Sequence, residues 1–386
     1  MNIESVLQNA ALRHEEFPVT TQKVFLAHAA VSPLPRRVCA AIQEYVQQAA
    51  CLGQFGYIHA EIEKRTRRNA AALLGADEDE IAFVSSTSMG LSLVAAGLPW
   101  QEGDNVVVAD GDFPSNIYPW LNLRERGVRT KFIPRHNDGA VTLDDVENVI
   151  DDSTRLVSLS SVNFVTGFRI DIASIGEYLS KRGILFCVDA IQSLGAVPTG
   201  VKYVDFLATN AHKWLLGPLG IGILFVKREH FERLRPCLAG WKSVKSSEQY
   251  LSYDLDFLDS AKRYEPGGGN IVGLCGLHTA LELLLEIGID NITSRLQQIR
   301  RTLVSSLDEK GYDVSGPTKE EQTSGITSFT SKRQDIVEVR RNLDSRGFIV
   351  SLRDSLDSGK CIRVSPHFYN TDDEILQLLA ELPDCG

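Results

Sequence analysis

The sequence predicts an α/β protein, with a large domain built on a mostly parallel sheet and a smaller α+β domain at the C-terminal end. Three observations predict it. Ile184–Val188, Val204–Ala208 and Ile221–Val226 are continuous apolar runs of strand length, too unbroken for half-exposed strands and suited to strands covered on both faces. Beyond Gly288 the pattern changes to strand-plus-helix runs at a spacing that forms a small sheet covered on one side. At 386 residues the chain is also large for a single core. The divisions read as an N-terminal segment over 1–24, a large domain over 25–285 and a small domain over 286–386.

Taken in order, the start to Thr21 reads as a polar or helical lead-in, and VFLAHAAVSPLPRRV as a short strand and a turn marked by Pro33 and Pro35. Helical spacing covers Arg36–Gln48 and Ile58–Leu74, the latter ending at Gly75. A buried strand, Ile81–Val84, meets the hydroxyl run SSTS that opens an apolar helix. Such a helix start offers free N–H groups and partial positive charge to a phosphate, although Ser and Thr are also the ordinary capping residues. NVVVAD and VRTKFIP read as strands, LDDVENVI as a helix with acids in its first turn, and Leu156–Ser160 as a strand leading to Asn163. The Asn163 amide reads either as a hydrogen-bonding group in a site or as a turn former before Thr166 and Gly167. IASIGEYLSKRG is a helix closing at Gly183. Arg228–Trp241 reads as a helix and loop, and the glycine cluster PGGGN precedes a long apolar helix. The small domain then reads as helix Ile292–Lys310, strand Ile326–Phe329, helix Asp335–Arg346, strands Phe348–Leu352 and Lys360–Val364, and helix Asp372–Leu382.

The chemistry concentrates where two of the apolar runs end. Asp189 follows the first, with Gln192 a turn later, and Asn210, His212 and Lys213 follow the second. In open α/β sheets, ligands lie outside the carboxyl ends of the strands. A lysine and a carboxylate in one crevice suit pyridoxal 5′-phosphate (PLP). Its aldehyde takes a lysine as a Schiff base, and its ring nitrogen needs a carboxylate to keep its proton. Taken alone, Lys213 would read as one more solvated charge.

The pattern VDAIQSLG followed by TNAHKWLLGPLGIGILFV resembles the class V aminotransferase group of fold-type I PLP enzymes, which includes cysteine desulfurases, kynureninase and isopenicillin N epimerase-like proteins. The resemblance runs from about Phe25 to Leu379. It implies a seven-stranded-type sheet, with Lys213 and Asp189 catalytic. It further implies that Thr87, Ser88 and the Met89 N–H bind the phosphate with Asn210 and His212, that Asn163 and Gln192 reach the phenolic oxygen, and that Phe113 stacks on the ring. The segment GDFPSN resembles the kynureninase type more than the histidine pair of the desulfurases. KCIRVSPHFYNT matches a family segment in which Arg363 would pair the substrate α-carboxylate bidentately. Asn163 and the backbone near Ala29 would also meet the substrate. Gly268 would carry a backbone contact to the partner's site in a homodimer whose active sites lie at the interface, or else the glycines form an ordinary turn.

The expected activity is a PLP-dependent aminotransferase acting on an amino acid. The alternatives are a cysteine or cystine C–S lyase, an amino-acid epimerase, or a binding protein of this fold that has lost catalysis. Desulfurases use a loop cysteine upstream of the arginine, whereas SLRDSLDSGKCIR is short and its one cysteine, Cys361, reads as a buried strand residue. The net charge of −10 disfavours nucleic-acid binding. Seven cysteines without a CxxC pair argue against a disulfide framework or a metal site. No signal peptide or membrane span is apparent, so the expected setting is cytoplasmic.

Overall fold

The computed structural model describes residues 1–54, 58–251, 253–357 and 359–385, the side chains of 58–60 excepted. Its strands, in chain order, are β1 (Val24–Phe25), β2 (Ile81–Val84), β3 (Asn105–Ala109), β4 (Arg129–Ile133), β5 (Thr154–Ser160), β6 (Leu185–Asp189), β7 (Phe206–Asn210), β8 (Gly222–Val226), β9 (Asp313–Ser315), β10 (Thr327–Thr330), β11 (Phe348–Ile349), β12 (Ser351–Asp354) and β13 (Lys360–Val364).

The largest sheet has seven strands in the order β2-β8-β7-β6-β5-β3-β4. Every pair is parallel except those of β8, which runs antiparallel to both β2 and β7. β3, β6, β7 and β8 are buried at every position, which explains why their sequences show no polar alternation. Alternation instead sorts apolar residues between two cores. Phe186 and Val188 join Leu207, Ile223 and the helix Ile271–Ile287 on one face. Leu185 and Cys187 join Phe206, Leu224 and the helix Thr87–Gly97 on the other. That second helix lies so close that a Cβ on Gly90 would stand 2.9 Å from the Ala208 Cβ. Among the described residues no single helix is long and apolar enough to cross a membrane.

A separate four-stranded sheet is antiparallel and ordered β12-β13-β10-β9. Its core joins Ile362, Phe329 and Val364 to Leu303, Leu343 and Leu378 of the helices Ile289–Glu309, Ile336–Ser345 and Asp372–Glu381.

Three expectations are corrected. Arg228–Trp241 is not a helix. A 3₁₀ turn over Arg228–His230 gives way to irregular chain, because the Arg235 N–H is drawn to the Gly97 carbonyl and Pro236 has no N–H with which to continue a helix. The strand expected over Phe348–Leu352 is two, since β11 leaves the small sheet to pair in parallel with β1. The helix expected from Ile292 starts at Ile289, directly after Gly288 at φ 85°.

The N-terminal segment forms two short helices, Ile3–Gln8 and Ala10–Glu16, capped by Asn2 and Asn9. It is fastened to the far end of the chain. Arg13 pairs with Glu374 at 2.8 Å, and the Phe17 ring stacks on Tyr369 with centroids 4.0 Å apart.

Candidate active site

The parallel strands deliver their last residues to one edge of the sheet. Asp189 ends β6 and Asn210 ends β7, while Thr87, Asp112 and Asn163 follow β2, β3 and β5 by a few residues. Lys213 follows Asn210 in a tight turn and is 8% exposed. The chain that follows β1 crosses over this turn. The Ser32 hydroxyl donates to the Lys213 carbonyl at 2.6 Å and the Ser32 N–H to the His212 carbonyl at 2.7 Å. Leu216, at φ 56°, closes the turn in a left-handed conformation uncommon for a branched side chain.

Asp189 is buried and accepts from the Ile191 N–H at 2.9 Å. Its carboxyl is pushed well above the usual range, first by burial and then by the neighbouring Asp112 carboxylate, while Lys213 pulls the other way. Burial likewise depresses the Lys213 ammonium, opposed by Asp189 and assisted by the charges of Arg363 and Arg353. A buried amine with lowered proton affinity beside a buried acid suits proton transfer.

Asp112 and Asn116 carried no signal in the sequence, yet they organise one wall. Asp112 accepts from the Phe113 N–H at 2.7 Å, from the Ser160 hydroxyl at 2.7 Å and from Asn116 Nδ2 at 2.9 Å. This bracket sets the Phe113 ring with its centroid 5.5 Å from Lys213 Nζ and edge-on to Phe164.

The phosphate residues fall on the same edge, with differences among them. The Thr87 hydroxyl is buried without a partner at the start of its helix, where the first N–H groups also lack intrahelical acceptors. Ser88 donates to the Ser115 hydroxyl at 2.7 Å. The Met89 N–H is taken by the capping Ser86 hydroxyl at 3.1 Å, which leaves the first N–H groups of that helix, those of Thr87 and Ser88, to an anion. His212 keeps a buried, unpartnered Nδ1, and burial lowers its pKa to about 4, so it is neutral. Asn210 donates one Nδ2–H to the Ser85 carbonyl at 3.3 Å, which leaves its second N–H for an anion and its Oδ1 buried without a donor. Gly268 lies exposed in the loop before Ile271.

The groups expected near the phenolic oxygen and substrate are partly committed. Gln192 bridges Ala29 and Trp214, donating to the Ala29 carbonyl at 3.0 Å and accepting from the indole at 2.8 Å. The Ala29 N–H donates to the Ser365 hydroxyl at 3.0 Å, so neither of its backbone groups points idly into the crevice. Asn163 forms the turn, accepting from the Val165 and Thr166 N–H groups at 2.9 and 3.0 Å, which leaves its amide N–H groups for the site. Arg363 is 1% exposed. One nitrogen donates to the Phe164 carbonyl, while Nε and Nη2 are buried without acceptors. Burial pulls its pKa down to about 9. Paired N–H groups on one edge of a guanidinium are the complement of a carboxylate. Cys361 lies in β13 at 0% exposure with its thiol pushed up by burial, so it is neither ionised nor accessible.

These orphaned atoms fit PLP. Thr87 and its helix start suit a phosphate, and Asp189 and Lys213 suit the ring nitrogen and the aldehyde. The profile of the class-V aminotransferases matches residues 24–378. A probable cysteine desulfurase of Methanothermobacter thermautotrophicus is 31% identical, covering 95% of both chains. The uncharacterized aminotransferase YcbU of Bacillus subtilis is 30% identical over 95% of each. The apo structure of a cysteine desulfurase from Thermococcus onnurineus NA1 superposes with a TM-score of 0.87 at 26% identity, covering 95% of each chain. Phe113 and the missing loop cysteine set this chain apart from the pattern expected of a desulfurase, although relatives bearing that name match it end to end. A profile covering nearly the whole chain, on a sheet edge built for this cofactor, places the chain in the class-V aminotransferase family of PLP-dependent enzymes.

Proposed function

We propose that this enzyme is an aminotransferase of α-amino acids in which Lys213 is the sole proton carrier at the reacting carbon. The observation that carries the reading is the company Lys213 keeps. Phe113 faces it where an imidazole could have served as a second acid or base, and Cys361 is sealed within β13. When bound, PLP withdraws electrons from the bond broken at the substrate carbon. The residues of the chain do the rest. Arg363 would hold the α-carboxylate and so fix which Cα bond faces Lys213, whose neutral amine would take the α-proton and hold it as an ammonium. Asp189 holds the proton on the ring nitrogen, and Thr87, Ser88 and His212 hold the phosphate. Phe113 stacks on the ring, worth about 0.5–1.5 kcal/mol beyond burial, and Asn163 and Gln192 border the phenolic oxygen. Supporting a homodimer, the loop bearing Gly268 is exposed beside a cleft that also borders Ser85 and Met89, close to the phosphate end.

A second reading is β-elimination by a C–S lyase, favoured by the desulfurase names of the relatives. It needs the same amine and no loop cysteine. The test is the absorbance spectrum of the purified protein. A visible band, absent in Lys213→Ala, is the expected outcome, and no band after reconstitution with PLP would overturn both readings. Loss of the band with an amino acid and its return with a 2-oxo acid supports transamination. Pyruvate with sulfide or persulfide released from cysteine or cystine would replace that reading with the lyase.

A further inference from the structure

Arg353 acts on Lys213 only as a neighbouring charge, yet the small sheet turns it toward the same crevice. In the β12–β13 pair, Ser351 lies opposite Arg363 and Arg353 opposite Cys361. Side chains alternate along strands, so Arg363, Cys361, Ser351 and Arg353 share one face. That face meets the turn built by Asn163. Arg363 donates to the Phe164 carbonyl, Ser328, its neighbour on β10, donates to the Val165 carbonyl, and Cys361 packs on Val165 and Leu356. Arg353 and Arg363 are diagonal neighbours, a relation that sets side chains roughly 7–8 Å apart at their bases.

Neither guanidinium has an acidic partner among the described residues. Arg353 donates to its own neighbour, the Leu352 carbonyl, at 2.9 Å. The nearby acids are engaged, Asp354 with Lys360 and Asp357 with Ser355. Both charges act on the crevice. After burial and the opposing pull of Asp189, it is Arg363 and Arg353 that depress the Lys213 ammonium. A substrate α-carboxylate answers one guanidinium and leaves the other uncompensated.

We propose that Arg353 and Arg363 form a two-anion subsite, so that the substrate is an amino acid bearing a second carboxylate at its far end. The proposal deepens the amino-acid reading above and rests on its assignment of Arg363 to the α-carboxylate. The second carboxylate can belong to an acidic side chain or to the distant half of a disulfide-linked diacid, and chain length separates the two.

The test is calorimetric binding of unreactive acids to the holoenzyme: butyrate against glutarate, adipate and suberate. At least one diacid is expected to bind about tenfold tighter than butyrate, as one added charge-assisted contact gives. A glutarate optimum identifies the acidic side chain, and a suberate optimum the longer diacid. Arg353→Gln is expected to erase the diacid advantage and leave butyrate affinity and the visible band unchanged, while Arg353→Lys keeps part of it. Diacids that bind no tighter than butyrate, or an Arg353→Gln variant that weakens both equally, would overturn the proposal. A protein without the visible band would defeat the cofactor assignment instead, and the calorimetric comparison would still decide on Arg353.

Discussion

Leu216 shows how much local structure Lys213 requires. The turn that carries the lysine closes with Leu216 at φ 56° and fully buried, its N–H bonded to the Lys213 carbonyl and the following Gly217 N–H to the Ala211 carbonyl. A left-handed residue with a Cβ costs about 1–2 kcal/mol. Leu216→Gly is therefore expected to be more stable than Leu216→Ala by about 1 kcal/mol, the reverse of the usual order, as thermal or urea unfolding would reveal. At this scale the residues legible in the sequence were those whose chemistry is unusual where they stand, namely Lys213, Asp189 and Arg363. Ser32, Asp112, Trp214 and Ser365 were not legible. Their types are common, and each acts through a contact with a segment distant along the chain, which no local pattern encodes.

Elements tell the same story through packing. The helix Thr87–Gly97 brings its N-terminus to the cofactor edge by lying close on β7, and Gly90 is what permits the approach. Gly90→Ala is expected to cost about 1–3 kcal/mol by overpacking against Ala208 and to weaken PLP retention, read by dialysis of the holoenzyme. The apolar runs were legible as strands because burial on both faces removes polar alternation. The segment Arg228–Trp241 was misread because its polar spacing suits a helix, while a tertiary bond to Gly97 and the Pro236 ring decide otherwise. β9 escaped notice because three residues carry no period.

A buried imidazole pair joins the chain just after β1 to the chain just after β13. His28 bonds the Ser365 carbonyl and the Tyr369 hydroxyl at 2.9 and 2.7 Å, and His367 contacts the Trp214 carbonyl at 3.1 Å. Burial lowers His367 from 6.5 to about 4 and depresses His28 well below its ordinary value, the second with help from His367. The sign follows from which state binds more protons. Between 6.5 and about 4 the unfolded chain protonates His367 and the folded chain refuses, so stability is complete above 6.5 and declines as pH falls toward 4. The limiting slope is about 1.4 kcal/mol per pH unit for each imidazole. Melting curves at pH 7.5, 6 and 5 are expected to fall steeply for the parent and less steeply for His367→Gln. Parallel curves would remove the pair from the account.

Across the whole molecule, strands and side chains from opposite ends of the sequence are fastened to each other. β1 pairs with β11, Ala27 bridges to Ser365, and Arg13 meets Glu374. The second, four-stranded sheet was legible from the change of spacing after Gly288. The joining of the first thirty or so residues to the last sixty was not, because parallel pairing across such a separation leaves no trace in composition.

The β1–β11 pairing also bears on how the protein is made. A ribosome releases Val24 long before it adds Phe348, so β1 has no strand partner for most of synthesis and must wait while the central sheet assembles behind it. Nascent chains halted before residue 340 should lose that strand to a protease, and chains extended past Tyr369 should keep it. The strap that carries Ala29 and Ser32 across the lysine turn is translated long before the Phe348 to Ser365 stretch that fastens it, so no half-made chain presents a finished crevice.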